Sequence, residues 1–253
     1  MPVQDASKGA LRLSQAQTAA SGALCRYALR RKVRTFCLRV CPKSKEMRTK
    51  LFDWLKAQDG RQLRCRAIFA RNHFANSSPI ERSRNLGALD ILVNNAAFQR
   101  TYANIEDIPE DELDATFRTN NYATFFLCQA AIPKMKPGGV ILNTWSIQSF
   151  EPSESLIPHA ATKAVMVSFT KSMAKAVANR GIRVNGVAPG PVWTPLIPST
   201  MSEEKVKTFG ENTAFKRPAM PVEQAAVFVF LASDVASYVT GEVYGATGGR
   251  TPY

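Results

Sequence analysis

From residue 89 onward the chain alternates short apolar runs with longer stretches of helical period, and this alternation restricts the fold more than any other feature. The runs are LDILV at 89–93, VILN at 140–143, IRVNGV at 182–187 and EVY at 242–244. The first three have strand length and are apolar almost throughout, as strands covered on both faces are. Between them lie helical stretches at 110–135, 160–179 and 222–232. The first draws on Leu113, Phe117, Tyr122, Phe125, Phe126 and Leu127 as its apolar positions. The second sets Ala164, Val167, Ser168, Lys171, Ala174 and Ala178 along one side, and its alanines permit close helix approach. Gly181 ends it. Pro137-Gly138-Gly139 turns the chain into the second run, and 202–209 reads as a short capped helix with Glu203 and Glu204 in its first turn. Strands alternating with helices predict an α/β fold built on a doubly wound parallel sheet. Ligands then bind outside the carboxyl ends of the strands.

The first third is of another kind. Residues 1–88 carry 19 Lys and Arg against 5 Asp and Glu, whereas residues 89–253 carry 14 against 15. The formal charge of +13 therefore belongs to the first part. Four of the five cysteines lie there too, at Cys25, Cys37, Cys41 and Cys65, with Cys128 further on. They form no paired pattern and neither histidine is close to them, so no metal site is expected. A reducing compartment, the cytoplasm, is the expected location. A basic, acid-poor opening fits a transit peptide in composition and also a basic arm for nucleic acid. Aromatic residues are sparse and no nucleic-acid motif occurs, so a nucleic-acid partner is not expected. Within this part, 30–40 passes for a basic edge strand, 45–58 for an amphipathic helix stopped by Gly60, 64–70 for a short strand and 72–78 for loop. Gly9, Gly22, Gly60 and Gly87 are too far apart to build a phosphate-binding turn. No apolar run is long enough to cross a membrane.

The stretch ILNTWSIQSFEPSESLIPHAATK, 141–163, holds the chemistry. An apolar run ends in Asn143, Thr144 and Ser146, and a loop with Pro152 and Pro158 follows. A helix then carries His159 and Lys163, four apart and so on one face. A hydroxyl at a strand end, a group that handles protons and a cation can form an acid/base site at the rim of a sheet.

Several segments together resemble the short-chain dehydrogenase/reductase family. Asn94-Asn95-Ala96-Ala97 is similar to the family's N-N-A-G element, and Asn120 in RTNNYATFF to its active-site asparagine. Ser146 stands 13 residues before His159, the family's spacing from catalytic serine to catalytic tyrosine. His159-Ala-Ala-Thr-Lys163 matches Y-x-x-x-K with histidine in the tyrosine position. IRVNGVAPGPVWTPLIP, 182–198, and SYVTGEVYGATGG, 237–249, match the segment over the nicotinamide and the last strand. The wording is nearest to the glucose/ribitol-dehydrogenase-like branch.

The resemblance covers 86–249 and implies one domain. Its catalytic part is 86–253, with the basic segment 1–85 standing where the first part of a dinucleotide-binding fold belongs. Whether that segment is a genuine domain, a transit-like segment or a shifted-frame translation, the residues leave open. The family's T-G-x-x-x-G-x-G turn is missing from it.

By resemblance the protein is an NAD- or NADP-dependent oxidoreductase acting on a small carbonyl or alcohol substrate, as a dimer or tetramer of identical chains. The resemblance gives Ser146 the orienting of the substrate oxygen, Lys163 the ribose, and Asn120 a proton-relaying water. His159 takes the place of the proton-transferring phenol. Asn94, Ala96, Pro189, Gly190, Val192 and Thr194 fall at cofactor-contacting positions, Asn94 also at one that ties neighbouring strands. Residues 196–215 correspond to a lid over the substrate. Imidazole is shorter than phenol, and a neighbouring ammonium favours its neutral form, so activity is expected to be impaired.

Overall fold

In the computed structural model, residues 35–38 and 89–250 are described. Five strands form one sheet in the order β1-β2-β3-β4-β5, every neighbouring pair parallel. They are β1 (Thr35–Leu38), β2 (Leu89–Asn94), β3 (Met135–Thr144), β4 (Arg183–Pro189) and β5 (Val243–Ala246). The edge strand expected within 30–40 is therefore present as β1, set against β2 with Thr35 opposite Ile91. The helix at 45–58, the strand at 64–70 and the loop at 72–78 lie outside the described residues.

Helices cover both faces, as the near-continuous apolar strands demand. Ile91, Val93, Val140, Leu142 and Val187 pack on one face against Phe228, Leu231 and Ala232 of the helix Pro221–Ala232. Leu92, Ile141, Ile182 and Val184 pack on the other against Cys128 and Ala131, and against Ala174 and Val177. Side chains alternate between the two clusters along β2 and β3, the period of two made visible. In chain order the helices are α1 (Glu110–Phe117), α2 (Ala123–Ala131), α3 (Ile157–Val177), α4 (Leu196–Thr200), α5 (Glu203–Lys207) and α6 (Pro221–Ala232).

Three elements differ from expectation. The long helix at 110–135 is broken by a π-helical turn, Arg118–Tyr122, and ends in a tight turn at Ile132–Lys134. The extra residue of that turn directs both Asn120 and Asn121 inward. Leu113, Tyr122, Phe125 and Phe126 are exposed, and the inward residues of this stretch are Thr116, Thr124, Cys128 and Ala131. Pro137-Gly138-Gly139 does not precede β3 but bulges within it: Leu89 pairs with Met135 and Ile91 already with Val140. Gly138, at φ 89°, supplies the backbone conformation that the bulge needs. The third helix begins at Ile157, before residue 160, because Pro158 is well suited to a first turn. Its inward stripe is Met166, Thr170, Ala174 and Val177, while Ala164, Ser168 and Lys171 face out. Gly181 closes it in the left-handed region at φ 66°.

Candidate active site

Adjacent parallel strands bring their carboxyl ends to one rim, and β3 delivers the central group there. Thr144, its last residue, accepts a hydrogen bond through its carbonyl from Lys163 Nζ at 2.9 Å and donates through Oγ1 to Asn95 Oδ1 at 2.8 Å. Trp145 then turns inward, and its Nε1 donates to Thr170 Oγ1 at 3.1 Å. Its ring lies so close over Gly186 that a Cβ there would sit 2.4 Å from Trp145 Cε2, so β4 needs glycine at that point. With Trp145 anchored, Ser146 is held at the rim in extended backbone, its Oγ accepting from the Gln148 amide at 3.2 Å.

The helix α3 brings the other two groups. Lys163 and His159 are both buried, at 4% and 6% relative exposure. His159 Nδ1 lies 3.3 Å from the Phe98 carbonyl. Asn120 clasps the same residue: its Oδ1 accepts from the Phe98 N–H at 2.7 Å, and its Nδ2 donates to the Phe98 carbonyl at 3.0 Å. Nδ2 also reaches Thr162 Oγ1 at 2.9 Å, and Asn121 Nδ2 donates to the Thr162 carbonyl at 2.9 Å. The π turn thus ties α1–α2 to the segment of α3 between His159 and Lys163. The amide of Asn120 is committed to positioning Phe98 and Thr162.

Burial pushes the Lys163 ammonium down to about 8 from its ordinary value. His159 is pushed down to about 3, first by burial and then by the nearby Lys163 charge, against a smaller opposing effect of the Phe98 carbonyl. The ring is therefore neutral throughout the physiological range.

A consequence for stability follows from the sign of that shift. Between about pH 6.5, the value for a free imidazole, and about pH 3 the unfolded chain holds a proton that the folded one does not. Stability contributed by the neutral ring is fully present above that window and is lost as pH falls through it. From pH 7 to pH 5 the wild type should lose on the order of 2 kcal/mol that a His159→Gln variant keeps. Urea unfolding of both proteins at the two pH values measures this, and parallel losses would contradict it.

The positions assigned to the cofactor divide. Asn94 is buried at 3%, and its Nδ2 donates to Asn143 Oδ1 at 2.8 Å and to Cys128 Sγ at 3.4 Å. That amide links β2 to β3 inside the molecule, so of its two assigned roles the strand-tying one has the contacts. Ala96 is half-buried in the segment after β2. Pro189 ends β4, and Gly190 donates its N–H to Ala246 O at 3.1 Å, with no room for a Cβ against the Thr247 backbone. Val192 pairs with Ala219 through the flanking groups of Pro191 and Trp193, so its own N–H and C=O point to the opposite side. Thr194 is half-buried and caps the turn into α4 through its carbonyl. The expected lid is tied down at both ends. Gln99 Nε2 donates to Thr200 Oγ1 at 3.1 Å and Thr101 Oγ1 to the Thr200 carbonyl at 3.0 Å, while Ala214 N donates to Gly248 O at 2.8 Å.

Sequence reasoning missed Phe98, which acts through its backbone, and Thr162 and Thr170, whose hydroxyls serve buried amides. The pattern T-K after His159 gave Thr162 no distinguishing mark. Among the described residues no cluster of three or more His, Cys, Asp or Glu could hold a metal ion, and no helix is long and apolar enough to cross a membrane.

Comparison with known proteins extends this geometry. A family model described as enoyl-(acyl carrier protein) reductase matches residues 79–251. An uncharacterized oxidoreductase, YhdF, of Bacillus subtilis (strain 168) is 51% identical over 166 residues, covering 66% of this chain and 57% of its own. The glucose and ribitol dehydrogenase of Daucus carota is 47% identical over 163 residues, 64% of this chain and 56% of its own. The chain thus spans little more than half the length of the curated relatives it matches. Among solved structures, a blue fluorescent protein from a metagenomic library, in complex with NADPH, superposes with a TM-score of 0.74 at 28% identity, covering 91% of this chain and 92% of that one.

Proposed function

The chain belongs to the short-chain dehydrogenase/reductase family, in its glucose/ribitol-dehydrogenase-like branch, and from that premise we propose that it is a nicotinamide-dependent oxidoreductase acting on a small alcohol or carbonyl compound. The observation that carries this reading is the buried Lys163 ammonium bonded to the last carbonyl of β3, two residues before Ser146 and one helical turn from His159. The residues present suit the nicotinamide-ribose half of a dinucleotide. Lys163 uses one of its three donors on Thr144 and has others for ribose hydroxyls. Val192 offers backbone groups on the side away from Ala219, and Thr194 stands beside them. When bound, the nicotinamide supplies or takes up hydride.

This chain's own residues would do the rest. The Ser146 hydroxyl, free to donate because its oxygen already accepts from Gln148, orients the substrate oxygen. Lys163 binds ribose and adds, through its charge, to the burial that keeps the His159 ring neutral. His159 meets the substrate oxygen with a neutral imidazole whose poor capacity for a second proton makes proton transfer the impaired step. The segment 196–215, pinned to Thr101 and Gly248, excludes water from above. The exposed Tyr122, Phe125 and Phe126 of the π turn and α2 form an apolar surface that supports assembly of identical chains. Sugars and polyols are the substrate class favoured by the relatedness to the carrot enzyme.

Titration of NADPH, followed by its fluorescence, tests the reading. Binding in the micromolar range together with turnover, faster as NADP+ reduction by ribitol than as NADPH oxidation by an aldehyde, is the expected result. Binding without turnover would favour a relative that keeps the fold but not the activity, which the neutral His159 and the absent glycine-rich turn also support. No binding would overturn the proposal.

A further inference from the structure

We propose that His159 is held as the Nδ1–H tautomer, so that Nε2 presents only a lone pair and the site takes its ligand as a hydroxyl donor rather than as a carbonyl. The assignment of the ring rests on geometry alone, and only the ligand class rests on the oxidoreductase reading above. A carbonyl oxygen has no proton to give, so the hydrogen bond between His159 Nδ1 and the Phe98 carbonyl needs the proton on Nδ1. Turning the ring over would place a carbon there and forfeit the bond.

The carbonyl cannot swing away. Asn120 holds the Phe98 peptide by both its N–H and its C=O, and Asn120 is itself fixed to Thr162 on α3. The backbone around the ring is fixed too, since the His159 carbonyl accepts from Thr162 Oγ1 at 2.7 Å. A second proton, on Nε2, would put a cation beside the Lys163 ammonium in a site with 6% exposure, and the buried surroundings oppose it.

Neutral imidazole carries one N–H, and here it is spent on Phe98. The remaining nitrogen accepts a hydrogen bond and cannot donate one. An alcohol hydroxyl satisfies such an acceptor, whereas a carbonyl oxygen would set two lone pairs against each other. The tyrosine that this position holds elsewhere in the family can donate or accept, so the substitution makes one side of the alcohol–carbonyl pair favoured.

The chain contains only two histidines, His73 and His159, which makes the ring state directly readable. Protein labelled with 15N-histidine would be examined by long-range 1H–15N correlation from pH 5 to pH 8, with His73→Gln used to assign the signals. Expected for His159 is one pyrrole-type Nδ1 and one pyridine-type Nε2, unchanged across the range. An Nε2–H tautomer, an averaged pair or a charged ring at pH 7 would overturn the proposal. Ribitol added with NADP+ should move Nε2 and leave Nδ1 in place, and propanal at the same concentration should not. An equal or larger response to propanal would overturn the ligand class. The ring state is read without cofactor, so a protein that fails to bind NADPH sinks the oxidoreductase reading and leaves this result standing or falling by itself.

Discussion

Replacement of His159 by tyrosine is expected to raise NADPH-dependent aldehyde reduction at least tenfold. A carbonyl that becomes an alcohol must receive a proton at its oxygen. The neutral imidazole has its one proton committed to Phe98, and burial with the Lys163 charge keeps a second from binding above about pH 3. Phenol brings a proton on an oxygen at the far end of a longer side chain. Its ordinary pKa of about 10 keeps that proton in place at neutral pH, and the neighbouring ammonium eases its release. Positioned proton transfer typically contributes about 10²–10⁴ in rate, so tenfold, about 1.4 kcal/mol of barrier, is the low end of what a restored donor supplies. Phe98 keeps the clasp of Asn120 in the variant, so the loss of one 3.3 Å hydrogen bond does not undo the rim. Initial rates would be compared at equal concentrations of total protein and of NADPH. Equal rates would move the defect from proton transfer to cofactor binding, which the missing glycine-rich turn would then have to explain.

The reading of the sequence succeeded where function leaves a periodic or a spaced trace. Among the described residues the apolar runs gave four of five strands within two residues at nearly every end, and β2, β3 and β4 were clearest because strands buried on both faces have no polar face to blur them. The exception is the start of β3, where the bulge at Gly138 begins the strand at Met135 instead of Val140. The placement of Ser146 just past a strand end and of His159 and Lys163 on one helix was legible because each element's period fixes those offsets. What was not legible lies in tertiary bonds that carry no period. The π turn exists because Asn120 and Asn121 both have partners inside, and neither partner is near in sequence: Phe98 is 22 residues away and Thr162 is 42 from Asn120. Phe125 and Phe126 count among the apolar positions of the helical stretch at 110–135, yet both are half exposed. The resemblance gives Asn94 both a cofactor position and the tying of neighbouring strands, and the hydrogen bond to Asn143 in the next strand is the tie.

The same kind of bond sets the second large effect: Thr170→Val should cost about 3 kcal/mol or more of folding stability, although it replaces one methyl-sized group by another. Thr170 is fully buried on α3, and its Oγ1 accepts two hydrogen bonds, from Asn143 Nδ2 at 2.8 Å and Trp145 Nε1 at 3.1 Å. Valine would leave both donors buried without a partner, at about 1–3 kcal/mol each, and neither can turn to water. Asn143 is fully buried, its Oδ1 already accepting from Asn94. Trp145 is wedged over Gly186 and cannot shift without opening β4. Because Trp145 is the residue before Ser146, the strain would reach the rim as well as the core. Thr170→Ser separates the causes, since it keeps the acceptor and removes only a methyl, for about 1 kcal/mol. Urea unfolding of the wild type and both variants gives the comparison. A valine variant no less stable than the serine variant would mean that the buried hydroxyl fills space and holds nothing.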